Sequence, residues 1–410
     1  MMASNKTFSY HRVGFAGKIY IVFFLFSFIF GDSFLQLDIG LGLNPFYIFV
    51  FFSLLHFFIN LYNRKINFLN EKISKVAIIF FFWVMIYVLL SFLDVQRILE
   101  LDGVSIDKKY IFRQGYWVCL IPCAFDIIAE WKKISFSSLK KYSKFFLILL
   151  VLIVILWKAN FTIPFLEFDH ATLNFFIPLL AMLLYYLNDD FRYVLLYLVT
   201  IIITFPGMAT YIMGDILIFA VILVDYIVRK RKMISSKALY NFICILLPVF
   251  IISALVVLFL LSNSDPNTGW RLSYWKNEFE ILLNNFLFGV GFGTGYGSTD
   301  LLHSINNPNV FLEQDPFEIS SLYIAQHNSF MNIFYRVGLI GLLIFIYFIL
   351  LFAKKYFKSN ITSFTSFGFT FFLYGVLIIF FNPGLESPRF CISFLIGIVL
   401  FSIALLQSKT

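Results

Sequence analysis

Charge is what this sequence has least of. Asp, Glu, Lys and Arg make up 13% of its 410 residues, roughly half their share in a soluble domain, and that shortage excludes a fold whose surface faces water on all sides. Histidine is scarce, at five, and so is cysteine, at four. Cys119, Cys123, Cys244 and Cys391 lie in or beside apolar stretches, with neither zinc-like spacing nor paired loop positions. A zinc ribbon and a disulfide scaffold are both excluded; Cys119 and Cys123 share a helix face and read as packing residues. No internal repeat is visible, and few polar residues fall near the middle of the apolar runs, which argues against a transporter. No small-x-small cleavage site follows the first apolar run, so it reads as an uncleaved first helix.

What the chain does have is hydrocarbon. Hydrophobic residues make up 60% of it, with 57 phenylalanines, and runs of roughly 20 apolar residues, the length that crosses a bilayer, recur along nearly its whole length. The expected fold is an all-α polytopic membrane protein of about twelve spans. They fall near residues 14–31, 44–62, 74–94, 111–130, 144–158, 171–187, 191–205, 207–228, 239–262, 329–352, 362–382 and 389–407. The pair around Pro206 is divided only by "FPG" and also fits one broken helix.

A net charge of +8 would suggest nucleic acid in a soluble protein, but here the basic residues cluster between spans and act as orientation signals. No nucleic acid is expected. With the N-terminus inside, alternate segments hold 22 of the 31 Lys and Arg, which places both termini in the cytoplasm of a multi-pass inner-membrane protein. Residues 1–261 then carry spans one to nine, 262–328 form one large periplasmic loop, and 329–410 carry spans ten to twelve. Within that loop "NTGWRLSYWKNEFEILLNNF" puts Trp270, Tyr274, Trp275, Phe279, Leu282, Leu283 and Phe286 at helical spacing. A surface amphipathic helix fits this pattern, and the glycine-rich "FGVGFGTGYG" ends it.

Several charged groups are candidates for chemistry. Arg271 lies one turn before Trp275 and either grips a phosphate bidentately or anchors an interfacial helix by snorkelling. His327, with Asn328 and Ser329, stands where the loop re-enters the membrane; it is either a base for a sugar hydroxyl or part of a helix cap. Arg336, deeper in the same span, needs a partner or a wet cavity. Arg113, Lys108, Lys109 and Arg389 stand at outer span ends, where they either complete a basic pocket for a pyrophosphate or are ordinary interfacial residues, the reading favoured for the lysines. Asp215, near mid-depth, is either functional or paired with Arg113 or Arg336. "GVGFGTG" has no preceding strand and is not a dinucleotide site, and "NDD" at Asn188–Asp190 reads as a solvated turn. Asp32 and Asp38 would serve a metal-dependent lipid-sugar transferase, although no histidine or third acid is close in sequence.

"WRLSYWKNEFEILLNNFLFGVGFGTGY" followed some thirty residues later by "HNSFMNIFYRVGLIGLL" resembles the conserved region of the O-antigen polymerase and O-antigen ligase family, over Trp270 to Leu343. The resemblance implies a GT-C-like membrane glycosyltransferase, metal-independent, inverting and without a cofactor. It implies a donor of undecaprenyl pyrophosphate-linked oligosaccharide. His327 then matches the family's base and Arg271 an arginine that holds the pyrophosphate, with Asn328, Arg336, Arg113, Trp275 and Arg389 as substrate-binding candidates. Met208 stands where the family often has a second arginine. The expected activity is that of an O-antigen polymerase in lipopolysaccharide biosynthesis; transfer of glycan to lipid A core by a ligase is the alternative, and a flippase or other transporter a more distant one. Expected partners are membrane lipid, a chain-length regulator and a flippase.

Overall fold

The computed structural model describes residues 14–40, 43–66, 71–93, 108–132, 136–159, 170–204, 209–231, 256, 266–295, 328–381 and 385–408. Among them no strand occurs. The helices are α1 (Phe15–Leu35), α2 (Pro45–Tyr62), α3 (Lys72–Phe92), α4 (Lys109–Gly115), α5 (Leu120–Trp131), α6 (Phe136–Leu139), α7 (Ser143–Lys158), α8 (His170–Asn188), α9 (Phe191–Thr204), α10 (Ala209–Arg231), α11 (Pro266–Leu283), α12 (Ser329–Lys358), α13 (Ser363–Phe381) and α14 (Pro388–Gln407). A 3-10 turn, Tyr116–Cys119, joins α4 to α5. Among the described residues, seven segments are long and apolar enough to cross a membrane: α1, α2, α3, Tyr110–Trp131, α12, Ser363–Phe380 and α14.

Eleven of the twelve apolar segments read from the sequence coincide with helices, and the segment 239–262 lies outside the described residues apart from Val256. The stretch around Pro206 separates two helices, α9 and α10, with 205–208 themselves not described. Helix is the conformation a spanning segment must take, because hydrocarbon offers backbone N–H and C=O groups no other partner.

Burial is inverted relative to a water-soluble protein. Large apolar side chains recur along the outward faces, as Ile48, Phe51, Leu55 and Phe58 do on α2 and Ile79, Phe82, Ile86 and Leu89 on α3. Asp126, Asp215, Asp225, Glu278 and Arg336 are all inside. The solvent for the outer face is therefore lipid, and the chain is a polytopic membrane protein. The interior is filled by aromatic rings; Phe352 stacks on Phe372 and Tyr356 on Phe369 at 4.8 and 4.1 Å between centroids. Gly375 and Gly397 let α13 and α14 approach until each faces the other helix's backbone, the packing that small residues permit between membrane helices.

Contacts at the helix ends sort the bundle into two poles. At one, Trp131 Nε1 donates to Gly17 O and Gln407 Nε2 to Lys132 O. At the other lie the end of α1, the starts of α2, α4, α12 and α14, and the glycine-rich loop after α11 as far as Gly295.

Candidate active site

The second pole is organised around a break in α12. Val337 and Gly338 leave helical φ/ψ, which frees the carbonyls of Tyr335 and Arg336 and the N–H groups of Leu339 and Ile340. All four are taken up by the glycine-rich segment. Val290 N donates to Tyr335 O at 2.8 Å and Gly291 N to Arg336 O at 2.9 Å, while Leu339 N and Ile340 N donate back to Phe286 O and Leu287 O at 2.9 and 3.4 Å. Only glycine fits at the crossing: a Cβ on Gly338 (φ +70°) would stand 2.1 Å from Leu287 O, and one on Gly289 (φ +72°) 2.6 Å from Gly338 N. Both residues also occupy the left-handed region that glycine tolerates. The glycine pattern therefore serves close backbone approach to a broken helix.

Arg336 locks this crossing from beneath. It is 1% exposed, and its Nη1 donates to Gly291 O (3.1 Å), Thr294 O (2.8 Å) and Thr294 Oγ1. Its Nε faces Glu386 at 3.9 Å. The partner that the sequence demanded for this charge is thus a loop backbone plus an acid just before α14. Gln114 of α4 adds a second brace, accepting from Gly293 N at 2.7 Å and donating to Thr294 O at 3.2 Å. Ser91 Oγ at the end of α3 accepts from Phe292 N, and Tyr335 OH donates to Gly295 O.

At the mouth of α12, Asn328 is an N-cap: its Oδ1 accepts from Phe330 N and Met331 N at 3.0 and 3.2 Å. Ser329 Oγ accepts from Leu385 N, tying that mouth to the turn that carries Glu386. His327 lies outside the described residues. Arg271 is on α11, one turn before Trp275 and two before Glu278. The buried stripe of α11 runs through Glu278 and Leu282, whereas Phe279, Leu283 and Phe286 are exposed. The helix therefore turns an acid inward and keeps Phe279 and Leu283 on its outward face. An inward apolar stripe would have served a water-facing surface, but here the outer environment is itself apolar.

The remaining candidates do not converge. Arg113 is exposed on α4. Arg389 Nη1 pairs with Asp32 Oδ2 at 3.2 Å, joining α14 to α1, so a candidate phosphate ligand and a candidate metal ligand face each other. Asp38 caps Gly40 N at 2.8 Å. Asp215 pairs with neither Arg113 nor Arg336; its neighbours are the hydroxyls of Tyr197, at 3.3 Å, and Tyr374. Arg113 lies on the exposed face of α4, and Arg336 is committed to the loop.

Sequence reasoning missed Gln114, Glu278 and Glu386. Glu278 alone left a signal, seven residues after Arg271 and hence on the same helix face. Its carboxyl is pushed well above the usual range by burial, which nearby Arg336 opposes and Glu386 reinforces.

Residues 170–346 match the family model described as O-antigen ligase. Over that stretch, less than half of its length, the chain is similar to the O-antigen ligase family. The matched region begins at α8 and ends within α12, so it extends well upstream of the Trp270–Leu343 stretch whose motifs carry the resemblance. The family covers both polymerase and ligase activities on lipid-linked O-antigen. A comparison with curated proteins found no match.

Proposed function

We propose that the protein is an O-antigen polymerase of the inner membrane, which transfers undecaprenyl pyrophosphate-linked glycan onto a lipid-linked repeat unit at the periplasmic face. The observation that carries this reading is the crossing of the glycine loop with α12. It ties the helix bearing Arg271 to the helix that His327 precedes through four backbone hydrogen bonds and the Arg336 guanidinium. In this reading the segments so joined bring Arg271 and His327 to the membrane surface where a lipid-linked pyrophosphate and its sugar meet. In this reading His327 takes the proton of the acceptor hydroxyl as that oxygen attacks the anomeric carbon. The bond to the pyrophosphate breaks with its electron pair on the leaving oxygen, and Arg271 stabilises that charge. Attack from the opposite face inverts the anomeric centre, and no metal takes part.

The positive charge near the site supports binding by Arg271 more than by Arg336 or Arg389, since those two guanidinium groups already face Glu386 and Asp32. Polymerase is favoured over ligase because Met208 replaces an arginine frequent in the family, a mark of the more diverged members. The span count of twelve, the cytoplasmic termini, and the chain-length regulator and flippase as partners belong to this proposal too.

Deletion of the gene tests it. Surface lipopolysaccharide carrying a single repeat unit per core is the expected phenotype, whereas bare core with accumulated lipid-linked polymer means ligase and unchanged glycan removes both. His327→Ala is expected to abolish polymer at normal protein level, a loss on the order of 10²–10⁴-fold in rate. Polymerisation in metal-free vesicles that survives this substitution makes His327 only a helix cap. Loss of wild-type activity to a chelator, restored by a divalent ion, favours Asp32 and Asp38 instead.

A further inference from the structure

The pole opposite the candidate active site holds a cleft of its own. Its volume is about 420 Å³, and it lies between the segment 136–140, α8, the start of α13 and the end of α14. Gln407, whose amide donates to Lys132 O at that pole, is on its wall. The lining is of two kinds. Phe136 and Phe364, stacked at 4.6 Å with their planes 12° apart, make an apolar wall. Lys140, Ser363, Gln407 and Ser408 supply the polar part, and among the described residues no acid lines the cleft.

The cation in this lining is uncommitted. Lys140 is exposed and makes no ion pair among the described residues. It opens the string Lys-Lys-Tyr-x-Lys at 140–144, which recurs at 354–358, where α12 ends five residues before Ser363. An ammonium offers three donors and no acceptor, so it calls for an anion. The apolar wall calls for hydrocarbon joined to that anion, because a free phosphate would leave the two phenylalanines unused. At the end of a membrane bundle the molecule that carries both is a phospholipid, and basic pockets between spans suit acidic headgroups. We propose that this cleft binds the headgroup of one anionic phospholipid. Lys140 meets the phosphodiester, the hydroxyl and amide side chains face the glycerol, and the first carbons of the acyl chains run along Phe136 and Phe364. A zwitterionic headgroup fits less well, since it brings an ammonium of its own beside Lys140. The bound lipid would bridge four separate parts of the chain.

Native mass spectrometry of the full-length protein in detergent tests this, by titration with phosphatidylglycerol, with phosphatidylcholine of the same chains, and with glycerol phosphate. One phosphatidylglycerol is expected to bind about tenfold more tightly than phosphatidylcholine, and glycerol phosphate not to be retained. Lys140→Gln is expected to weaken phosphatidylglycerol about fivefold, and Lys140→Arg to keep it. Lys141→Gln is the control for surface charge: its ammonium lies over the Tyr142 ring at 4.9 Å and does not line the cleft, so a change of less than about twofold is expected. Ser408→Asp, which puts an acid in the lining, is expected to remove the preference. If that variant fails to fold, Lys140→Gln decides alone, because an exposed side chain can be exchanged without disturbing the packing. Equal binding of the two lipids, an unchanged affinity in Lys140→Gln, or equal losses in Lys140→Gln and Lys141→Gln overturns the proposal. Glycerol phosphate held as tightly as the lipid overturns it too, by making the cleft a site for a soluble phosphate. None of these readings depends on glycan transfer, so the result stands apart from the polymerase assignment.

Discussion

Asp126 and Glu278 are both fully buried acids at opposite poles of one bundle, and their surroundings differ in kind. Asp126 on α5 accepts from His56 Nδ1 at 2.9 Å, from Asn60 Nδ2 at 2.7 Å and from Tyr20 OH, so three helices meet on one carboxylate. Tyr20 also reaches Ser53, and only Asn60 Oδ1 in this group is left without a partner. Glu278 has Arg336 and Glu386 nearby but no hydrogen bond at either oxygen. A closed network of side chains fixes how helices pack, whereas an open one stores unmet capacity where a ligand can use it. The first pole is a pin, and the second is the proposed site.

The largest effect that would break this contrast is at the glycine crossing. Gly338→Ala places a Cβ against Leu287 O and asks alanine to hold φ +70°, costing about 3 kcal/mol or more. Little folded protein and no polymer are expected, by immunoblot and polysaccharide gel. Arg336→Met comes next, since it leaves Glu386 buried without its cation, a loss of about 3–5 kcal/mol. Adding Glu386→Gln to Arg336→Met is expected to recover part of the thermal stability; no recovery would mean that the loop carbonyls, not the acid, need the arginine.

Asp126→Asn is expected to cost about 1–3 kcal/mol while polymer formed per folded molecule stays at the wild-type level. A specific loss of polymer at equal protein would turn the pin into a second functional site. The smallest effect concerns pH. Because burial raises the Glu278 pKa above 4.5, the folded state holds that proton more tightly than the unfolded chain does. The associated stability is present at low pH and is lost as pH rises through the folded value. Thermal unfolding of Glu278→Gln is expected to lack this alkaline decline; identical pH profiles for the two proteins would show that Glu278 is not held neutral.

Much of this protein is local in origin. Some twenty apolar residues in a row admit only a helix in hydrocarbon, so the spans can be marked before any contact is known, and Asn328 announces the start of α12 as a cap. The motifs around Arg271 and His327 are likewise readable as strings, and the family match over 170–346 agrees with them. The sequence also says that a buried arginine at 336 must have a partner, because an unpaired charge there is too costly. It does not say which. Gly291, Thr294, Gln114 and Glu386 come from segments some 40 to 220 residues away along the chain from Arg336. Their meeting depends on how helices pack, not on any periodicity within one of them. The burial of Glu278 was hidden for the same reason: one face of α11 looks amphipathic in isolation, and only its seating on α12 decides whether the acid or the phenylalanines turn inward.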